Sequence, residues 1–131
     1  MLYAMGKDGP KQMTDLPISR KDFFNKIMRK LSADNYNGIV KALNEHFDKI
    51  EEVSVSSFIP PGDDWTNTPY EPIFRACEAN RKQAGFFFGV LVWKIVVERA
   101  DYWGFSPAED HFPGREIKGK IYFRIEKPRE Q

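Results

Sequence analysis

Between residues 85 and 97 the chain reads GFFFGVLVWKIVV, its most apolar run. Such a run must be covered on nearly every side, so the rest of the chain has to supply the cover. Val90, Val92, Ile95, Val96 and Val97 suit a strand by propensity. Length and flanks suit a helix. Asn80-Arg81-Lys82-Gln83 reads as a capping box, and the pattern continues through Glu98, Arg99 and Ala100. The span greatly exceeds a buried strand of roughly 4–8 residues, so a central helix is expected over 81–100. It is not a membrane span: the apolar run is shorter than the roughly 18–20 residues required, and Lys94 interrupts it.

On a helical wheel Gln83, Lys94, Glu98 and Asp101 share a stripe that marks the outward side. Phe87 and Val90 fall on that stripe. Large apolar groups on an outward face invite cover, so Phe87, Val90 and Lys94 are the expected interface of a homodimer. Gly85 and Gly89 lie opposite with Val92 and Val96, where another backbone is expected to come close.

The chain has 131 residues, enough for one domain with a core. A formal net charge of +1 gives no global reason to expect nucleic acid or a membrane surface as partner. The single cysteine, Cys77, rules out an internal disulfide and any CxxC metal spacing. It fits a reducing cytoplasm, and the first residues carry no signal-peptide pattern. No cofactor fingerprint, phosphate loop or nucleophile motif is present.

Residues 1–16 have no period and contain Gly6, Gly9 and Pro10, so a flexible arm is expected. Residues 17–127 are expected to form one α+β domain, followed by a polar tail at 128–131. Phe23, Phe24, Ile27, Met28 and Leu31 recur at helical spacing, with Arg20, Lys21, Lys26, Arg29 and Lys30 on the far face. Ser32 restarts a helix whose apolar stripe is Tyr36, Ile39, Val40, Leu43, Phe47 and Ile50. Residues 52–59 alternate as a strand, and so do 117–125. A third helix begins at Thr68-Pro69-Tyr70-Glu71, a capping box with Pro at the first helical position. On its apolar face, Cys77 reads as an inert core thiol.

The loop around Asp63, Asp64 and Trp65, with Tyr70 beyond it, combines carboxylates with aromatics. The stretch from Trp103 through Glu109, Asp110 and His111 does the same and is read as a loop, because Gly104, Pro107, Pro113 and Gly114 punctuate it. Asp63, Asp64, Trp65, Tyr70, Trp103, Asp110 and His111 are therefore the candidate ligand-binding residues, with Trp65 and Trp103 expected as walls of one concave site. Turn chemistry alone explains much of the first loop, and adjacent residues on a loop diverge, so neither pattern is specific.

The expected fold is thus α+β, about four helices in the order α-α-β-α-α-β on a small antiparallel sheet. The leading functional expectation is a non-enzymatic interaction or small-ligand-binding protein acting as a homo-oligomer. A small hydrolase or metal-dependent enzyme would use the acidic loops at 63–64 and 109–111. A nucleic-acid binder would use the basic first helix, against which the neutral overall charge speaks.

Overall fold

The apolar run is a helix, and it is apolar all round because other elements pack against it from several sides. The structure is a computed structural model that describes residues 1–16, 18–51, 53–55, 65–107 and 120–128, with backbone alone at 18–20 and 53–55. In chain order the elements are β1 (Leu2–Gly6), β2 (Gly9–Met13), α1 (Ile18–Met28), α2 (Ala33–Lys49), β3 (Val53–Val55), α3 (Glu71–Ala76), α4 (Arg81–Glu98), β4 (Trp103–Pro107) and β5 (Lys120–Arg124). The fold is α+β, with four helices among the described residues and a sheet in the order β2-β1-β4-β5-β3.

Local signals open two helices as the sequence indicates. Ser32 Oγ accepts from Asn35 N at 3.1 Å to cap α2, and Asn80 Oδ1 accepts from Gln83 N at 3.1 Å to cap α4. Helix α4 buries Ala84, Phe87, Phe88, Val90, Leu91, Val92, Trp93, Ile95 and Val96. Full burial of a large apolar side chain is worth on the order of 2 kcal/mol, so this helix dominates the core. Phe24 of α1 stacks on Phe87 with centroids 5.1 Å apart. Tyr70, just before α3, meets Phe88 edge-on. Phe105 of β4 meets Trp93 edge-on at 4.8 Å.

Alternation decides which side chains reach the helices. Trp103 and Tyr122 turn toward α2 and enclose Phe47, both edge-on to its ring. Gly104 and Phe123 are register partners on the opposite face. A Cβ on Gly104 would lie 2.4 Å from Phe123 Cε2, so the glycine is required by the ring that crosses it.

Residues 2–13 are a hairpin, where a flexible arm was expected. A lone hairpin is marginal in water. This one is ordered because β1 pairs in parallel with β4, placing Leu2 opposite Trp103 and Ala4 opposite Phe105. The backbone around it is tied as well: Trp103 N donates to Met1 O at 2.9 Å, and the Met1 amine donates to Val96 O, Arg99 O and Asp101 O. Pro10 and Lys11 sit on edge strand β2, where a missing N–H is tolerated and a charge discourages further pairing. The sheet is accordingly mixed and not wholly antiparallel. Residues 103–107, read as loop, are its central strand. Of the polar tail only Pro128 is described, and residues 117–119 of the expected last strand lie outside the described residues.

The expected phase of α4 is off by roughly a quarter turn. Gly85 is exposed, and added Cβ atoms at Gly85 and Gly89 would meet nothing within 4 Å among the described residues, so no described backbone approaches there. Phe87 and Val90, which the wheel places outward, are 0% and 4% exposed within the single chain. Gln83 and Glu98 misled the phase: they lie near the helix ends, where polar residues reach water from any direction. Lys94 is half-buried, its Nζ 2.5 Å from Glu98 Oε1.

Candidate functional site

The sequence-predicted aromatics are packing residues. Trp65 is buried, nearly parallel to Phe74 and edge-on to Phe88. Tyr70 is buried beside it, and burial pushes its phenol above the usual range. Thr68 organises this turn by donating to Trp65 O at 2.8 Å and accepting from Tyr70 N at 3.2 Å. Trp103 is wholly buried near the other end of α4. The two tryptophans therefore do not wall one site. Asp63, Asp64, Glu109, Asp110 and His111 lie outside the described residues. Phe87 and Val90 are core residues, not an interface, because α1 and the rest of the core already cover them.

Cys77 is 2% exposed, and burial pushes its thiol up, with Lys30 opposing, which suits an inert core group. The His46 ring sits edge-on to Phe47, and burial together with Lys49 lowers its pKa. Among the described residues no group of three or more His, Cys, Asp or Glu is placed to hold a metal ion, and no helix is long and apolar enough to cross a membrane.

Among the described residues the most elaborate polar cluster lies where α4 ends. Arg99, its side chain only 9% exposed, donates to Asp48 Oδ1 at 2.6 Å, to both carboxylate oxygens of Asp101 at 2.9 and 2.8 Å, and to Asn44 O and Oδ1. Trp103 Nε1 donates to Asp101 Oδ1 at 2.8 Å. Arg124 lies 4.6 Å above the Trp103 ring and donates to Phe47 O and Ile50 O, the carbonyls that end α2. Burial opposes ionisation of Asp101, but hydrogen bonds from Arg99 and Trp103 and the charges of Arg99 and Arg124 outweigh it, holding the carboxyl at about 2. Each of these donors is spent on the fold, so the cluster is a clamp between α2, α4, β4 and β5.

A different arrangement occurs before α4 begins. A cavity of about 360 Å³ opens between the α1–α2 turn and α3, lined by Lys30, Leu31, Asn35, Pro72, Arg75, Ala76 and Glu78. Leu31, Pro72 and Ala76 supply apolar surface, and the charged residues Lys30, Arg75 and Glu78 are exposed. Lys30 Nζ is 3.7 Å from Glu78 Oε1, and Arg75 Nε is 3.9 Å from Glu71 Oε1, both loose pairs. Glu78 and Ala79 have φ of 56° and 60°, two successive non-glycine residues in the left-handed region. That conformation costs roughly 1–2 kcal/mol per residue. It persists because it closes α3: Glu78 N donates to Arg75 O and Ala79 N to Phe74 O.

These lining residues were not singled out from sequence as a site. The sequence marks Lys30 only as part of a basic face, which here is partly neutralised: Lys21 pairs with Asp15 at 2.7 Å and Lys30 leans toward Glu78. The available signal was negative. Residues 77–80 turn the chain between two helices without a glycine, which forces ordinary residues into a glycine conformation.

One further surface stands out. Phe86 is 41% exposed on α4, between Gly85 and Gly89 and edge-on to Phe23 of α1 at 5.4 Å. Comparison with protein-family models, with curated proteins and with solved structures finds no match to this chain.

Proposed function

We propose that the chain is a non-enzymatic binding module that takes a small ligand in the groove between the α1–α2 turn and α3. One observation carries the reading: two elements far apart in sequence bring apolar surface and two loosely paired cations, Lys30 and Arg75, to one concavity of about 360 Å³. The Arg99 cluster is larger, yet its donors are already satisfied by the fold. A buried, protonated Cys77 suits a reducing compartment such as the cytoplasm. The test is a fragment screen by amide chemical shifts. Hits are expected to move Leu31, Asn35 and Ala76 together; hits that map elsewhere, or none at all, would end the reading.

A second reading rests on Phe86. A half-exposed phenylalanine beside two open glycines offers a surface to a second copy, so self-association would run through this face and not through Phe87. Light scattering checks it. Wild type should gain mass with concentration and Phe86→Glu should not, while a monomer mass at every concentration excludes the dimer.

A further inference from the structure

We propose that the groove's ligand is an organic carboxylate with an apolar body, and that Glu78 is a tethered carboxylate it must displace. The proposal rests on the reading above and adds the ligand's chemistry and a competitor built into the chain.

The first observation is what already sits on the cation. The Glu78 carboxylate lies 3.7 Å from Lys30 Nζ, and its side chain is 85% exposed against 40% for Lys30. It is a carboxylate on a lysine at the rim of a groove, held too loosely to be a structural bond of the Arg99 kind. The second is how it is held. Glu78 and the following Ala79 both occupy the left-handed region, so the backbone presents this acid from a disfavoured conformation. The third is what adjoins it. Leu31, Pro72 and Ala76 line the same cavity, giving an alkyl or aryl body a place to leave water, and Arg75 is an additional cation paired to Glu71 only at 3.9 Å. A free carboxylate with such a body reproduces the contact Glu78 makes and adds burial that Glu78 cannot offer. Inorganic phosphate could meet the cations but has nothing to set on the apolar lining.

Hexanoate, hexanamide and inorganic phosphate titrated separately into isotope-labelled full chain test this, read at the amides of Leu31, Asn35 and residues 75–78. Hexanoate should give saturable shifts there, and hexanamide and phosphate should bind more weakly. Lys30→Ala should weaken hexanoate, and Glu78→Gln should tighten it, each by roughly fivefold, the scale of one exposed charge pair. Hexanamide matching hexanoate would show that charge is not read. Phosphate matching it would show that the apolar lining is not used. Hexanoate binding that Glu78→Gln leaves unchanged would overturn the competitor while the groove stands as a site. No saturable shift with any of the three, beside fragment hits at the same amides, would overturn the carboxylate assignment alone; without such hits the groove itself fails.

Discussion

Helix α4 has a different kind of corner at each end. After it, Arg99 is almost buried and engages Asp48, Asp101 and Asn44 at 2.6–3.1 Å, while Arg124 closes the end of α2 from above Trp103. Before it, Lys30 pairs with Glu78 at 3.7 Å and Arg75 with Glu71 at 3.9 Å beside a cavity, and Glu78 and Ala79 hold a strained backbone conformation. The same residue types thus serve opposite ends. Where burial removes water and several acceptors converge, charges become scaffold. Where water remains and partners are single, charges stay available to a ligand.

That contrast is open to attack, beginning with the largest effect. Arg99→Ala should destabilise the chain by about 3 kcal/mol, because one nearly buried guanidinium loses its charged hydrogen bonds to Asp101 and Asp48 together with those to Asn44, leaving Asp101 to Trp103 and Arg124. Urea denaturation measures it, and a loss no greater than for Lys30→Ala would erase the difference between the corners. Acid sharpens the same point. Asp101 has its pKa lowered from 3.8 to about 2, so its contribution is complete above the ordinary value and is lost as pH falls through the folded one. The stability gap between wild type and Asp101→Asn should therefore narrow as pH drops from 3.8 toward about 2.

Gly104→Ala comes next, at about 2 kcal/mol of destabilisation, since the new methyl would press into the Phe123 ring on strands anchored to the tight corner. An unchanged melting temperature would mean that the ring moves aside freely. Substitutions at the other end should act in the opposite direction. Ala79→Gly should stabilise by about 1 kcal/mol by relieving a left-handed alanine; a loss of stability would show that the turn is not strained. Gly89→Ala, inside α4 with open space at its Cβ, should stabilise by about 0.5–1 kcal/mol. A loss there would mean that some group does approach the glycine.

Local chemistry was legible. Ser32 and Asn80 cap the helices they were expected to cap, and the alternation in Lys120–Arg124 is a strand. The α+β class follows from such signals, because a cap or a period involves residues a few positions apart. The phase of α4 was harder to read, since its polar residues cluster near the ends while its flank holds glycines, which carry no hydrophobic signal in either direction. The site was harder still: Trp65, Tyr70 and Trp103 looked like ligand walls, and their burial gives them to the core.

What the chain determined by itself, then, is that a long apolar helix forms and must be covered, and where several neighbouring elements start and stop. Tertiary structure alone decided what covers it. The hairpin at 2–13 has no strong strand pattern and becomes ordered through β4, about a hundred residues away. Gly104 looks like a loop breaker until Phe123 crosses it. Lys30 and Glu78 meet only because α3 folds back beside the α1–α2 turn. Contacts of this range depend on how whole faces pack, and the free energy of that packing is spread over many side chains, so no short stretch of sequence carries its signature.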